Sequence, residues 1–234
     1  MKEKIIELNQ IDSTSLYLKR NIETLEDMTF VFASTQTSGH GRFNREWDSG
    51  NGTNLLCSIL YKNRKIVENF DSVSLLFPVI ILELLESYGI QNVMIKWPND
   101  VYVGNKKICG ILLEGQMPNY LIVGVGLNVN ENNLKYLTST SIFNLLSTEI
   151  PLSDIKEKFI KITKRHMINF TKDKDSYFDT YISHNYLLDK DIKFEFQNST
   201  KFGKVIGISK NNELVVNCDN EIINLSYGEV TLHR

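Results

Sequence analysis

The chain has 234 residues, of which 42% are hydrophobic and 23% charged, as expected for a soluble protein with one large domain or one domain and a small appendage. Its 26 Lys and Arg against 28 Asp and Glu leave a net charge of −2, which argues against a protein devoted to nucleic-acid binding. Three scattered cysteines do not form a disulfide framework, and the apolar stretch 75–82 is far shorter than the ~20 residues that a membrane helix needs. We therefore expect a cytoplasmic protein that is not membrane-bound.

Glycine is concentrated in the first half of the chain. Ten of the 13 glycines lie between Gly39 and Gly126, so we expect this half to hold the functional site. The patterns predict a helix that begins within 12–15, a strand over 28–33 and a loop over 35–51. They then predict a strand over 53–61 and a helix over 71–88, capped by Asp71 or Ser72 and closed by Gly89.

The second half begins with short strands and continues with helices. Strands are predicted over 93–97, 101–103, 107–109, 111–115 and 120–129, and their short turns imply antiparallel pairing. Helices are predicted from Ser153 to residue 170, with Ser153 as N-cap, and over 176–188. Short alternating strands after residue 191 indicate a separate β-unit of about 45 residues, too small to be stable alone, that should pack against the larger body.

The loop from Gln36 to Trp47 combines groups that suit an anion and a base. Gly39 and Gly41 let backbone N–H groups converge on an anion, and Arg42 and Arg45 add positive charge. The flat Trp47 side chain offers a stacking surface. The alternative interpretation is a mobile polar loop with ordinary arginines.

A second cluster starts where a predicted strand ends at Pro98. Lys96 and Asp100 should face one edge of a cleft, with Asn99 free to bind a ligand, while Lys107 on the returning strand can point back into that cleft. A Lys96–Asp100 ion pair that stiffens the turn is the simpler alternative.

The third cluster is a strand with alternating glycines, Gly124 and Gly126, followed by Asn128. Such a strand is weak unless something packs against its bare backbone, either a neighbouring side chain or a ligand. The sequence contains no zinc-protease, P-loop or nucleophile-elbow motif, and we predict no protein ligands for a metal.

Taken in order, these clusters resemble the motif series of biotin protein ligases. The match is close over about residues 10–130 and looser over 190–234. It rests on Gly39-His40-Gly41-Arg42 with Arg45 and Trp47, Lys96-Trp97-Pro98-Asn99-Asp100, Lys107 with Gly110-Ile111-Leu112, Gly126-Leu127-Asn128, Asp12-Ser13-Thr14 and Tyr227-Gly228-Glu229-Val230.

The resemblance implies an α+β fold with two parts. Residues 1–188 would form a catalytic domain with a mixed or antiparallel sheet like that of class II aminoacyl-tRNA synthetases, flanked by helices. Residues 189–234 would form a small Src-homology-3-like β-barrel. Only about 12 residues precede the Ser-Thr segment, so no DNA-binding domain and no DNA binding are expected. Whether the protein forms a homodimer is left open.

The implied reaction is an ATP-dependent ligation in two steps. Biotin and ATP, with Mg²⁺, would give biotinyl-5′-AMP and pyrophosphate, and a lysine of a biotin carboxyl carrier protein or carboxylase domain would then take the biotin. No permanently bound cofactor is expected. A lipoate or octanoate ligase and a non-catalytic biotin- or nucleotide-binding regulator are the alternatives.

The resemblance also implies roles for individual residues. Arg42 and Lys107 would be catalytic through contacts to carboxylate and phosphate, and Asp100 would accept a proton from the attacking lysine. Biotin would be bound by Ser13, Thr14, Ser15, Gln36, Gly39, His40, Gly41, Arg42, Lys107, Gly110 and Leu112. ATP and the adenylate would be bound by Arg42, Arg45, Trp47, Asn99, Lys107 and Asn128.

Some positions depart from the family pattern. Ser15 stands where asparagine is usual, His40 where arginine is common, and Asn44 where glycine is frequent. His233 falls where an arginine near the C-terminus often faces ATP, so no nucleotide role is assigned to the β-unit.

Overall fold

A seven-stranded mixed sheet forms the body of the protein in a computed structural model that describes residues 3–197, 199–219, 221–226 and 231–232. The strand order is β1-β2-β3-β7-β6-β5-β4. Only the pair of β1 and β2 is parallel. The strands are β1 (Lys4–Ile11), β2 (Thr29–Gln36), β3 (Leu55–Tyr61), β4 (Val93–Lys96), β5 (Asp100–Val103), β6 (Lys106–Gln116) and β7 (Tyr120–Leu127).

Helices cover the two faces of this sheet unequally. The long helices α3 and α5 lie over one face and share its main core, while α1 lies over the other face with a smaller apolar cluster around Leu18 and Val31. The helices are α1 (Thr14–Arg20), α2 (Arg64–Val67), α3 (Phe70–Glu86), α4 (Ile142–Leu146), α5 (Leu152–Phe170) and α6 (Phe178–Ser183). None of the helices in the described part of the chain is long and apolar enough to cross a bilayer.

Alternation along the central strands decides which residues face α1. In β7, Val123 and Val125 point into the main core, so Gly124 and Gly126 lie on the α1 face. In β3, Cys57 and Ile59 point into the same core, which leaves Ser58 on the α1 face. The α1 face therefore carries small and polar residues beside the helix.

A five-stranded antiparallel sheet follows the body. Its order is β11-β10-β9-β8-β12. The buried Trp97 side chain donates from Nε1 to Asn212 in the β9–β10 turn, which confirms that this sheet packs on the body. The strands are β8 (Asp191–Phe196), β9 (Ser199–Ile208), β10 (Leu214–Cys218), β11 (Glu221–Leu225) and β12 (Thr231–Leu232). Residues 227–230 and His233, named in the sequence analysis, lie outside the described residues.

Several sequence-based predictions were wrong in detail. The edge strand β1 was not predicted, and it pairs in parallel with β2, which the chain reaches through α1. The antiparallel pairing predicted for the strands over 93–129 is confirmed. The predicted strands 107–109 and 111–115 form the single strand β6, and the predicted helix 176–188 is reduced to α6.

The helix caps also differ from the prediction. Helix α3 begins after Asn69 rather than at Asp71 or Ser72, while Gly89 beyond its end has a φ of +79°, as a helix-closing glycine does. Helix α5 begins after Pro151, so Ser153 is not its N-cap. The Ser153 Oγ donates to the Asp154 side chain instead. The apolar residues Ile155, Phe159, Ile162 and Met167 of α5 are all buried.

Candidate active site

A cavity of about 780 Å³ opens on the α1 face of the sheet, between α1, the 37–54 loop and the β5–β6 hairpin. All of the site residues named in the sequence analysis line it except Gly39. Its lining includes Ser13, Thr14, Ser15, Gln36, His40, Gly41, Arg42, Arg45, Trp47, Asn99, Asp100, Lys107, Gly110, Leu112 and Asn128.

One end of the cavity is built from a chain of buried hydroxyl groups. The backbone N–H and the Oγ1 of Thr14 both donate to Gln36 Oε1, at 2.8 and 3.0 Å. Ser58 Oγ lies 2.7 Å from Thr14 Oγ1 and 2.9 Å from Ser15 Oγ. Because Thr14 donates to Gln36, the consistent order of donation runs from Ser15 to Ser58 to Thr14 to Gln36.

Ser58 belongs to this site but was missed by sequence reasoning. It is 1% exposed and is the one polar side chain within the apolar run of β3. Serine is common in proteins, and a single serine in a buried strand gives no functional pattern. The available signal was its alternation with Cys57 and Ile59, which places it on the opposite face from the core.

Trp47 fills the space above the glycines of β6 and β7. A Cβ atom on Gly126 would lie 2.3 Å from Trp47 Cε2, and one on Gly110 would lie 2.9 Å from Trp47 Cζ3. The sequence left open whether a side chain or a ligand covers Gly126, and here the indole does. Trp47 Nε1 is buried and has no hydrogen-bond partner among the described residues.

Lys107 and Asp100 form an ion pair across the β5–β6 hairpin. Lys107 Nζ lies 2.6 Å from Asp100 Oδ1, and both side chains are about one-fifth exposed, at 24% and 20%. The simpler alternative from the sequence, a Lys96–Asp100 pair, is not formed, and Lys96 Nζ lies 5.2 Å from the centre of the Tyr102 ring. The same Lys107 ammonium is 5.4 Å from the centre of the Trp47 ring.

The two asparagines predicted to contact a nucleotide also hold the local backbone. Asn99 Nδ2 donates to Ile111 O at 2.5 Å, and Asn128 Nδ2 donates to Thr140 O at 3.0 Å. The sequence predicted that the Asn99 side chain is free to bind a ligand. Its Nδ2 is instead used within the protein. Its amide N–H holds β6 in place and leaves the side-chain oxygen to face other partners.

The 37–54 loop is folded back on itself rather than structureless. Gly41 N–H donates to Arg45 O at 2.7 Å, and Trp47 N–H donates to Gly39 O at 2.9 Å. A Cβ atom on Gly39 would lie 3.0 to 3.2 Å from three atoms of the loop and of Gln36, which explains why Gly39 packs inside the loop instead of lining the cavity.

Ion pairs hold the loop to the rest of the site. Glu114 Oε1 accepts from Lys19 Nζ of α1 at 2.6 Å and lies 3.8 Å from His40 Nε2, with which it forms an ion pair when the imidazole is protonated. Across the mouth of the cavity, Lys135 Nζ lies 3.0 Å from Glu46 Oε2. The loop is thus attached on both sides of the cavity.

Ionisable groups near the site differ in how the fold shifts their pKa. Hydrogen bonds from Arg20 lower the pKa of Asp12, next to Ser13, to about 2. Burial raises the pKa of the Cys57 and Cys109 thiols well above the ordinary value. These cysteines are therefore neutral thiols near pH 7 and are not suited to nucleophilic catalysis.

The fold is of the α+β class, with a cavity of ligand size on one face of a mixed sheet. Residues 7–130 match the model of the biotin/lipoate A/B protein ligase family. Because this match covers more than half of the chain, the protein belongs to that family.

Individual relatives and a solved structure agree with this assignment. The bifunctional ligase/repressor BirA of Escherichia coli is 33% identical over 123 residues, which are 51% of this chain and 38% of that protein. The biotin--[acetyl-CoA-carboxylase] ligase of Paracoccus denitrificans is 34% identical over 134 residues, covering 53% of this chain and 52% of that protein. The matches therefore span about half or less of these relatives. The biotin protein ligase of Aquifex aeolicus, solved with biotin and ATP, superposes with a TM-score of 0.88 at 26% identity over 99% of both chains.

Proposed function

We propose that this protein activates biotin with MgATP to give biotinyl-5′-AMP and then transfers the biotin to a lysine of a biotin carboxyl carrier domain. The observation that carries the proposal is a cavity lined by the buried hydroxyl groups of Thr14, Ser15 and Ser58 and also by Arg42 and the Lys107–Asp100 ion pair. Relatives named as biotin ligases, and a neighbour solved with biotin and ATP, support the same conclusion.

The hydroxyl end suits the ureido head of biotin. A ureido group has two N–H donors and one carbonyl acceptor, so it requires both kinds of partner in a buried site. Ser13, Thr14, Ser15 and Gln36 supply them, and Ser58 joins this set. Gly110 and Leu112 on β6 offer the apolar surface that the thiophene ring and the tail need.

In the first step, a biotin carboxylate oxygen attacks the α-phosphorus of ATP and the bond to pyrophosphate breaks. Two anions must meet, so the site has to supply fixed positive charge where charge develops. Arg42 and Lys107 supply it, and Arg45, Trp47, Asn99 and Asn128 surround the nucleotide. Mg²⁺ enters with the ATP phosphates as part of the substrate.

The mixed anhydride formed in this step is prone to hydrolysis. The 37–54 loop, with His40, Gly41 and Arg42 facing the cavity, excludes water from it. When a ligand occupies the space above Gly110 and Gly126, the Trp47 side chain moves away from these glycines or stacks on the ligand.

In the second step, the lysine amine of the carrier attacks the acyl carbon and AMP leaves. A free lysine, with a pKa near 10.4, is only about one part in 10³ neutral at pH 7, so a proton acceptor accelerates the attack. Asp100 takes this role. Its Oδ1 lies 2.6 Å from Lys107 Nζ, so the carboxylate is fixed beside the lysine that would contact the acyl phosphate.

The alternatives are a lipoate or octanoate ligase and a non-catalytic regulator. The family includes ligases for biotin and for lipoate. Lipoate lacks a ureido group, so it has no N–H donors or urea carbonyl for the polar groups of Ser13, Thr14, Ser15 and Gln36 to recognise. A regulator would not need Arg42, Lys107 and Asp100 together.

The test is pyrophosphate exchange into ATP with Mg²⁺ and biotin, lipoate or no acid. Exchange with biotin alone supports the proposal. Exchange with lipoate would move the protein to the other branch of the family, and no exchange with either acid would favour the regulator.

We further propose that residues 1–188 form the catalytic domain and that 189–234 form a Src-homology-3-like barrel. Five antiparallel strands with tight turns at Asn212 and Asp219, both at positive φ, support a small barrel. We also propose that the protein works in the cytoplasm, where carboxylase carrier domains would be its acceptors.

A further inference from the structure

The C-terminal sheet holds the side chain of Trp97 directly. Trp97 Nε1 donates to both the backbone O and the side-chain Oδ1 of Asn212, each at 3.0 Å. Both residues are buried, with exposures of 2% for Trp97 and 1% for Asn212. An indole has one N–H donor, so this bond satisfies the only polar atom of a side chain that lines the cavity.

Asn212 is itself fixed from three directions. Its backbone N–H donates to Ser209 O at 3.0 Å within the β9–β10 turn, and its Nδ2 donates to Ser74 Oγ on α3. Its φ of +58° lies in the left-handed region, which asparagine and glycine tolerate best. The turn, α3 and Trp97 therefore meet at one buried amide.

Trp97 opens the turn that carries Asn99 and Asp100. Ile111 N–H donates to Asn99 O at 3.0 Å, and the Asn99 side chain returns a bond to Ile111 O, so this turn is fastened to β6. Asp100, the next residue, holds Lys107. A shift of the Trp97 ring would move the backbone that places Asp100 and Lys107 in the cavity.

We infer that Asn212 is a positioning residue for the adenylation site, acting through the Trp97 indole on the turn that holds Asp100 and Lys107. The inference rests on the proposed function, because its effect is measured on that reaction. It gives the C-terminal sheet a role in the chemistry without requiring that the sheet contact ATP.

The test compares Asn212→Gly with Asn211→Gly in the same turn. Glycine tolerates the positive φ at 212 and keeps the backbone acceptor, so the variant removes only the side-chain bonds to Trp97 and Ser74. The Asn211 side chain is exposed, which makes Asn211→Gly a matched control. Kinetic constants for biotin-dependent pyrophosphate exchange are measured for both, together with thermal unfolding.

We expect Asn212→Gly to lower kcat about tenfold or more, because small displacements of reacting groups are costly, while Asn211→Gly stays within about twofold of the wild type. Trp97→Phe, which keeps a ring but lacks the N–H, should lower kcat in the same way. The double variant should be at most about twofold slower than Trp97→Phe, because the bond that the two changes share, from Trp97 Nε1 to Asn212 Oδ1, is already lost in Trp97→Phe. Trp97→Phe also serves as the test if Asn212→Gly does not fold.

Fluorescence reports the contact separately from activity. The chain has two tryptophans, so in a Trp47→Phe background all tryptophan emission comes from Trp97. Asn212→Gly should shift this emission and Asn211→Gly should not. Equal kcat for the two glycine variants, or independent losses that multiply in the double variant, would overturn the inference. A wild-type protein without exchange activity would instead refute the proposed function itself.

Discussion

The Trp47 indole lies against the bare backbone of Gly126, so closely that a Cβ atom at this position would be 2.3 Å from Trp47 Cε2. The indole belongs to the 37–54 loop and the glycine to the centre of the sheet. This contact joins the loop to the floor of the cavity, and it accounts for the glycine near the end of β7.

Gly126→Ala should therefore push Trp47 out of its position. Overpacking of this kind costs about 1–3 kcal/mol, and we expect the free energy of unfolding to fall by that amount and exchange activity to fall with it. The free energy is measured by denaturant unfolding. The control is Gly207→Ala, because a Cβ on Gly207 meets nothing within 4 Å. If both variants behave alike, Trp47 is not held by Gly126.

Asp100→Asn separates the two chemical steps. Removing the proton acceptor should slow transfer to the carrier lysine by about 10²-fold, while adenylate formation falls by less, through loss of the ion pair to Lys107. Single-turnover assays of each step measure this ratio. An equal loss in both steps would show that Asp100 serves only to place Lys107.

Glu114→Gln should loosen the 37–54 loop. Glu114 accepts from Lys19 of α1 and lies 3.8 Å from His40 Nε2 of the loop, and partly exposed contacts of this kind contribute about 1 kcal/mol or less. Global stability should therefore change little, whereas hydrogen exchange of loop amides should become faster. Glu68→Gln breaks the exposed ion pair with Arg64 away from the cavity and should leave loop exchange unchanged.

Acid should weaken the protein partly through Asp12. Its pKa is lowered from 3.8 to about 2 in the folded state by Arg20, so its ionised form stabilises the fold above pH ~4. That contribution is lost as the pH falls from about 4 to about 2. Asp12→Asn keeps an acceptor for the Ser13 N–H but loses the ion pair, so its stability should depend less on pH in this window. Added salt should narrow the difference, because the pair is exposed.

The sequence was most informative where periodicity and glycine spacing act together. The alternation of Gly124 and Gly126 predicted that something packs against the bare backbone of this strand, and at Gly126 it is the Trp47 side chain. Nearly all of the site residues implied by the motifs line the cavity. Gly39 was the exception, because a glycine in a folded loop serves close packing as readily as ligand contact.

Other features depend on contacts between distant residues and leave little local signal. Strand β1 has no fully buried residue, so its weak alternation did not stand out, and its parallel pairing depends on the path through α1. Ser58 joins Thr14 and Ser15 only when β3 meets α1. The bond between Trp97 and Asn212 spans 115 residues and could not be read from either segment alone.

The most direct test of the proposed function follows labelled AMP and biotin through one turnover. The purified protein is incubated with biotin, Mg²⁺ and ATP labelled at the α-phosphate, and a biotin carboxyl carrier domain is then added, either intact or with its acceptor lysine changed to arginine. We predict biotin-dependent formation of biotinyl-5′-AMP, followed by release of AMP and biotinylation of the intact carrier only. An adenylate that never forms, or that forms and is not transferred to the intact carrier, would contradict the account.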